Sequence, residues 1–283
     1  MISVSLQIRP AEPADHQQIA NLMYFEVHVH RHMDWRTPLD WLGSRHYWVL
    51  QDHGHIIAAL ACPQDPLGIA WVRLFTYAPP LSGPEAWSSL WEATRGEITR
   101  TGGALVAAIA VKPWLQDLLE DSGFTNYQNI VLLDWVPHLF KQPTLSPDIN
   151  IRPMLTNDLP AVVETDADAF EPLWRNSIYA LRKAYSLAVS ATIAENAGKV
   201  IGYQISTGNM LGAHLARLAV RKEAQSRGVG SALVGDLILR LNTRNLARLT
   251  VNTQSNNAAS LSLYQKLGFS QTGEQYPVFI HQV

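Results

Sequence analysis

The sequence repeats itself, and this constrains the fold more than any other feature. "IRPAEPADHQQIANLM" begins at Ile8 and "IRPMLTNDLPAVVETD" at Ile151, so Arg9, Pro10 and Asp15 fall on Arg152, Pro153 and Asp158, 143 positions on. Gly54 of "DHGHIIAAL" falls on Gly198 of "NAGKVIGYQ", and "WVRL" (71–74) on "LARL" (215–218), both 144 positions on. "DSGF" (121–124) falls on "KLGF" (266–269), 145 positions on. The order is kept and the offset drifts by two residues, so the 283 residues hold two copies of one unit. Between the copies "VPHLFKQPTLSPDIN" (136–150), with Pro137, Pro143 and Pro147, reads as an extended linker. The boundary is expected near residue 145, with one domain over 1–140 and a second over 148–283.

Each copy is apolar enough to build its own core: 47% of the chain is hydrophobic and only 16% charged. The formal net charge is −2 and no long Lys/Arg run exists, so nucleic acid and acidic membranes have no electrostatic support as partners. The single cysteine, Cys62, excludes an intrachain disulfide and reads as a small buried hydrophobe. "MISVSLQIRP" lacks the charged and apolar regions of a signal peptide, and the apolar run 104–111 is too short to cross a bilayer. A soluble, cytoplasmic protein is expected.

The pattern of the second copy alternates strands and helices. A short strand (149–153) leads into a helix capped by Asn157 or Asp158, and a second helical stretch follows over 173–186. A hairpin turns at residues 196–198. The strand "AHLARLAV" (213–220) runs through a glycine loop into a helix over 230–242. "LARLTVNT" gives another strand, and "NNAASLSLYQKLGF" a helix closed by Gly268. This order predicts an α/β fold, a mixed central sheet flanked by helices, in each copy.

Gly228 and Gly230 stand at the mouth of a long apolar helix, where glycine is a poor choice for stability alone. It suits a backbone that must approach a ligand with its N–H groups exposed, and the partial positive charge of a first helical turn favours an anion. The loop reads as a phosphate cradle. Together with the second motif the chain resembles the GCN5-related N-acetyltransferase superfamily. Gln225, Gly228 and Gly230 fit its Arg/Gln-x-x-Gly-x-Gly/Ala loop. Asn257, Leu263, Tyr264, Gly268 and Phe269 fit its Asn-x-x-Ala-x-x-Leu-Tyr-x-x-x-Gly-Phe helix, with Ser260 at the alanine position. The likeness covers most of 149–283 and, through the repeat, extends more faintly to 7–137.

The resemblance implies transfer of acetyl from acetyl-CoA to a primary amine, directly and without a metal. The backbone of Gln225, Ser226, Arg227, Gly228, Val229, Gly230 and Ser231 would hold the pyrophosphate, and that of Leu218, Ala219 and Val220 the pantetheine arm. Asn257, or its neighbour Asn256, would hold the pantetheine or the helix start, with Ser260 beside it. Tyr264 is implied as the proton donor to the departing thiolate. The strand position that often carries a glutamate in this family is His214, whose unperturbed pKa suits a base. Members resembling ribosomal-protein N-acetyltransferases often place an acid on the next strand; here that position is Asn252, and ordered water is the alternative to a side-chain base. Phe170, Trp174 and Arg175 are candidates for the acceptor site, and Asp166, Asp168 and Glu171 for an entrance lining that attracts a cationic amine. The acceptor this resemblance implies is a protein N-terminus, a lysine or a small metabolite. Narrower and rival readings are an aminothiol-glycoside acetylation like that of mycothiol synthase, and a non-catalytic acetyl-CoA-binding sensor.

The first copy departs from the pattern where it matters. "APPLSGPEAWSSL" (78–90) replaces the glycine loop, and its prolines remove N–H donors. Leu119 and Lys112 stand where Tyr264 and Asn257 stand in the second copy. It reads as a degenerate copy without a cofactor loop. It holds eight of the nine tryptophans, all but Trp174, which is expected to fill a core for the most part. "VHVHRH" (27–32) spaces His28 and His32 as on one face of a polar, exposed helix; no third ligand is near, so no metal is expected.

Overall fold

A computed structural model describes residues 6–143, 148–209, 212–242 and 248–283. The expected boundary near residue 145 lies outside the described residues. The chain forms two compact units, Met1–Tyr127 with Tyr276–Val283, and Gln128–Gln275. They do not divide where the repeat does, because the last strand of each copy leaves that copy part-way along its length.

The first unit contains β1 (Leu6–Pro10), α1 (His16–Phe25), β2 (Val29–Arg31), β3 (Tyr47–Asp52), β4 (His55–Ala61), β5 (Ile69–Trp71) and β6 (Leu74–Tyr77). After these come α2 (Gly83–Arg100), β7 (Leu105–Ile109), α3 (Pro113–Asp121) and the start of β8 (Thr125–Trp135). Five strands lie in the order β1-β3-β4-β6-β2, every pair antiparallel, and β5 pairs in parallel with β7. The other edge of β7 is covered from the far end of the chain, Val278 opposite Ile109 through Gln282 opposite Leu105. Trp87, Trp91, Phe75, Phe124 and Phe279 fill the core between α2, α3 and the sheet, so these tryptophans do pack inside.

The second unit continues β8 and adds β9 (Asn150–Pro153), α4 (Leu159–Ala169), α5 (Ile178–Ser186), β10 (Ala188–Asn196), β11 (Lys199–Asn209) and β12 (Gly212–Val220). α6 (Val229–Asn242), β13 (Leu249–Gln254), α7 (Ala258–Lys266) and the start of β14 (Phe269–Gln282) complete it. β9, β10, β11 and β12 form an antiparallel run, β13 joins β12 in parallel, and β8 closes on β13 with Thr250 opposite Asp134. The β10–β11 hairpin turns on Ala197 and Gly198, both at positive φ.

The repeat is visible in single contacts. Arg9 grips Asp15 through two hydrogen bonds of 2.7 and 2.8 Å, and Arg152 grips Asp158 through two of the same lengths. Arg73 and Arg217, 144 positions apart, are both mostly buried ion-pair partners, of Asp34 and Asp166 respectively. Two local expectations change. The stretch expected as a helix from residue 173 makes a short 3-10 turn over Pro172–Trp174, and α5 starts only at Ile178, where the Ser177 hydroxyl accepts the Ala180 N–H. Within "VHVHRH" only Val29–Arg31 is regular, and it is a strand rather than an exposed helix: His30 is buried and donates through Nε2 to the Val72 carbonyl at 3.0 Å, while His28 stacks on Tyr77. Among the described residues no three His, Cys, Asp or Glu side chains cluster as metal ligands, and no helix is long and apolar enough to cross a membrane.

Burial pushes the His30 pKa down to about 4. The unfolded chain takes up a proton at this residue near pH 6.5, the folded one only near 4. Stability from neutral His30 is therefore complete above pH 6.5 and is lost as the pH falls towards 4, by about 3 kcal/mol at the limit. Urea midpoints of the first unit measured at pH 7.5 and 5 should fall less steeply in His30→Gln than in the parent. Equal falls would show that another group carries the acid sensitivity.

Candidate active site

β12 and β13 touch at only three positions, Ala213 with Leu249, His214 with Thr250 and Leu215 with Val251. Beyond Leu215 the two strands part. β12 runs on to Val220 paired only to β11, and β13 is paired to β8 as far as Gln254. Leu218, Ala219 and Val220 thus keep one backbone edge without a neighbouring strand, as an added extended chain requires. A β-bulge lies between the Ile205–Arg217 and Ser206–Leu215 pairs, with Ala216 as the extra residue. It resets the alternation of β12. Ala213 and Leu215 pack in one core with Val234 and Leu237 of α6, and Leu218 and Val220 against Val229 and Leu233 of the same helix. His214 and Arg217 consequently share the opposite face.

The glycine loop follows directly from that open edge. Gln225 reaches back and its side-chain amide donates to the Val220 carbonyl at 3.0 Å. The first i→i−4 bond into α6 is Ala232 N–H to Gly228 C=O, 2.9 Å, which leaves Val229, Gly230 and Ser231 without an intrahelical carbonyl for their N–H groups. Gly228 has φ +81°, a region side chains disfavour, and faces open space. At Gly230 a Cβ would come within 2.7 Å of Leu263, so the glycine lets α6 approach α7. Ser226, Arg227 and Gly228 are exposed. These residues fit a pyrophosphate: donors, a helix N-terminus and room. The corresponding helix of the first copy, α2, is built otherwise. The Ser82 hydroxyl accepts the Glu85 N–H at 3.4 Å, and Glu85 Oε2 accepts from the Ser82 N–H and hydroxyl at 3.0 and 2.6 Å. Its N-terminus already holds a carboxylate of its own.

Tyr264, in the last turn of α7, is 4% exposed and lies against Phe269, ring centroids 5.5 Å apart. Burial raises its pKa, and the charge of Arg217 acts in the opposite sense, so the phenol keeps its proton at neutral pH. The Asn257 carbonyl oxygen accepts the Ser260 N–H at 3.1 Å, and its amide donates to Gln254 at 3.3 Å. Of its two expected roles, Asn257 performs the one of holding the helix start, and Ser260 is engaged through its backbone. His214 Nδ1 lies 2.7 Å from the Thr250 hydroxyl. Burial lowers its pKa while the Asn252 side chain favours the charged form, leaving the imidazole neutral at pH 7.

The entrance residues behave differently from expectation. Asp166 is fully buried and so lines no entrance, while Asp168 is partly exposed and accepts the Lys222 N–H at 2.7 Å. Asp166 instead faces Arg217, which donates Nε to Oδ2 at 2.7 Å and Nη2 to Oδ1 at 2.9 Å. Phe170 lies under the Arg217 guanidinium, 3.5 Å from ring centroid to Cζ, and the Trp174 carbonyl accepts from Nη2 at 2.6 Å. Arg175 is exposed and bonds the Phe170 carbonyl at 3.0 Å. Arg217 was not among the candidates. A charged side chain inside the apolar strand "LARLAV" was the signal that could have found it.

The sequence profile of the acetyltransferase (GNAT) family matches residues 156–269. The [ribosomal protein bS18]-alanine N-acetyltransferase of Escherichia coli (strain K12) is 30% identical over 121 residues, which are 43% of this chain and 80% of that protein. The chain belongs to the GNAT family. Its fold is that of family members over nearly the whole length. A tandem GNAT protein from the clavulanic acid biosynthesis pathway superposes with a TM-score of 0.67 at 15% identity, covering 98% of both chains. A GCN5-related N-acetyltransferase from Sphaerobacter thermophilus gives 0.63 at 16%, covering 98% of this chain and 95% of that one. The GNAT fold, its mixed sheets and an acyltransferase activity are thereby in place.

Proposed function

We propose that the second copy binds one acetyl-CoA and transfers its acetyl group to the α-amine of a protein N-terminus. The carrying observation is the continuous path from the unpaired edge at Leu218, Ala219 and Val220 to the N–H groups of Val229, Gly230 and Ser231. The likeness to an alanine N-acetyltransferase spans 121 residues and supports a protein N-terminus as acceptor. When bound, the thioester supplies the acetyl group. The chain's own residues do the rest: the loop holds the diphosphate, neutral His214 accepts the amine proton at Nε2, and the Tyr264 hydroxyl gives a proton to sulfur. The Glu85 carboxylate and the prolines at the start of α2 support a single site per chain.

Calorimetry with acetyl-CoA should give one site per chain, and thioester consumption with an amine panel should be fastest with an N-terminal alanine peptide, mass spectrometry locating the acetyl group on the α-amine. Two equal sites would overturn the single-site reading, and exclusive acetylation of a lysine side chain or a small amine would overturn the acceptor. Gly228→Glu places a carboxylate in the cradle at a φ that resists side chains, and the acetyl-CoA Kd should rise tenfold or more; normal binding would mean that the cradle lies elsewhere. His214→Gln should act mainly on kcat and remove an acid limb lying below pH 6.5, since burial holds the His214 pKa down. An unchanged profile would assign proton removal to water.

A further inference from the structure

We propose that Arg217 is a positioning residue that fixes residues 170–176 as one wall of the acceptor site. The inference rests on the second copy being the transferase, as proposed above. Arg217 is joined to Asp166 on α4 by two hydrogen bonds and to the Trp174 carbonyl by a third, and it lies flat against Phe170. Asp166 in turn accepts the Asn176 N–H at 2.8 Å and the Tyr203 hydroxyl at 2.5 Å. Both ends of the segment, Phe170 and Asn176, are therefore held through one buried ion pair, although only a short 3-10 turn gives the segment regular structure of its own.

The location gives this clamp its consequence. The bulge at Ala216 puts Arg217 on the same face of β12 as His214, and three residues along the chain from it. Residues 170–176 consequently lie over that face beside the point where β12 and β13 separate. Arg217 also lies close enough to Tyr264 for its charge to be felt there. A wall carrying Phe170 and Trp174 beside the groups assigned to both proton transfers sets how an amine approaches, without touching the loop that holds the diphosphate. A guanidinium suits the task because its planar fork satisfies both Asp166 oxygens and a carbonyl together, which an ammonium does not.

Arg217→Lys keeps the charge against Asp166 and loses the fork. With the best amine of the panel, its acceptor KM should rise about tenfold or more, while the acetyl-CoA Kd and the acceptor-free hydrolysis of the thioester stay within about twofold. Tyr203→Phe removes one hydrogen bond to the same carboxylate and leaves every contact of Arg217 with the segment; it should lower Tm without raising the acceptor KM. A KM unchanged in Arg217→Lys, an equal loss of acetyl-CoA affinity, or an equal KM rise in Tyr203→Phe would overturn the proposal. Amide hydrogen exchange reads the clamp without any acceptor. Residues 170–176 should exchange at least tenfold faster in Arg217→Lys while α6 is unchanged, and equal protection would overturn the clamp. If the parent protein acetylated no amine, the proposed function would fail, whereas the exchange measurement would still decide the clamp.

Discussion

Removing Tyr276–Val283 should unfold the first unit and leave the second with every strand it uses. The deleted segment supplies the five residues that pair with β7 and two fully buried side chains, Val278 and Phe279. Phe279 belongs to the core formed by Trp87, Trp91 and Phe124. The Val283 carbonyl further accepts the Ala104 N–H at 3.1 Å, and the Pro277 carbonyl the Ala110 N–H at 2.9 Å. Losing a buried Phe alone costs about 3–5 kcal/mol, and the valine and the exposed edge of β7 add to it, against a total stability of about 5–15 kcal/mol for a domain. Limited proteolysis should then cut within the first unit while fragments containing 128–275 persist. Full protection of the first unit would refute the assignment of its last strand. Phe279→Ala is the graded form of the test, with the Tm of the first unit falling and that of the second holding.

Tyr264→Phe should lower kcat about a hundredfold or more, the usual scale of a general acid contribution. The substitution keeps the ring that packs on Phe269 and takes away only the hydroxyl, so the acetyl-CoA Kd should be unchanged. The direction of its pKa shift makes the test specific. A buried phenol raised above its ordinary value stays protonated throughout the neutral range, and the nearby charge of Arg217 restrains that rise. If kcat fell less than about threefold, sulfur would leave without a proton from this residue. If the Kd rose in parallel, Tyr264 would be a binding group.

What the sequence discloses is what local backbone chemistry dictates. Gly228 and Gly230 were legible because a loop of this shape needs φ +81° at one position and no side chain at the other. The Asn257 cap was legible because its partner lies three residues away; the Arg–Asp ion pairs were not read, although the repeat had aligned Arg9 and Asp15 with Arg152 and Asp158. The Arg217–Asp166 pair was not legible, since 51 residues separate its members: Asp166 stands in the acidic run "ETDAD", and only Arg217 looks like a misplaced charge in an apolar stretch. Leu173 and Trp174 imitated a helical start, but Pro172 and the pull of Arg217 on the Trp174 carbonyl hold them in a tighter turn. Nor could the destination of the last strands be read: a strand of alternating apolar residues satisfies the sheet of its own copy or of the other equally well.

The shared strands also bear on how such a gene can change. Residues 128–135, encoded with the first copy, form an inner strand of the unit that carries the glycine loop, between β13 and β14. The closing strand of the first unit follows the second copy in the sequence, at residues 276–283. After such a duplication neither half can be deleted as a block, because each deletion would remove a strand from the survivor. Substitutions along β8 are therefore expected to destabilise the unit that carries the glycine loop, although β8 belongs by sequence to the first copy.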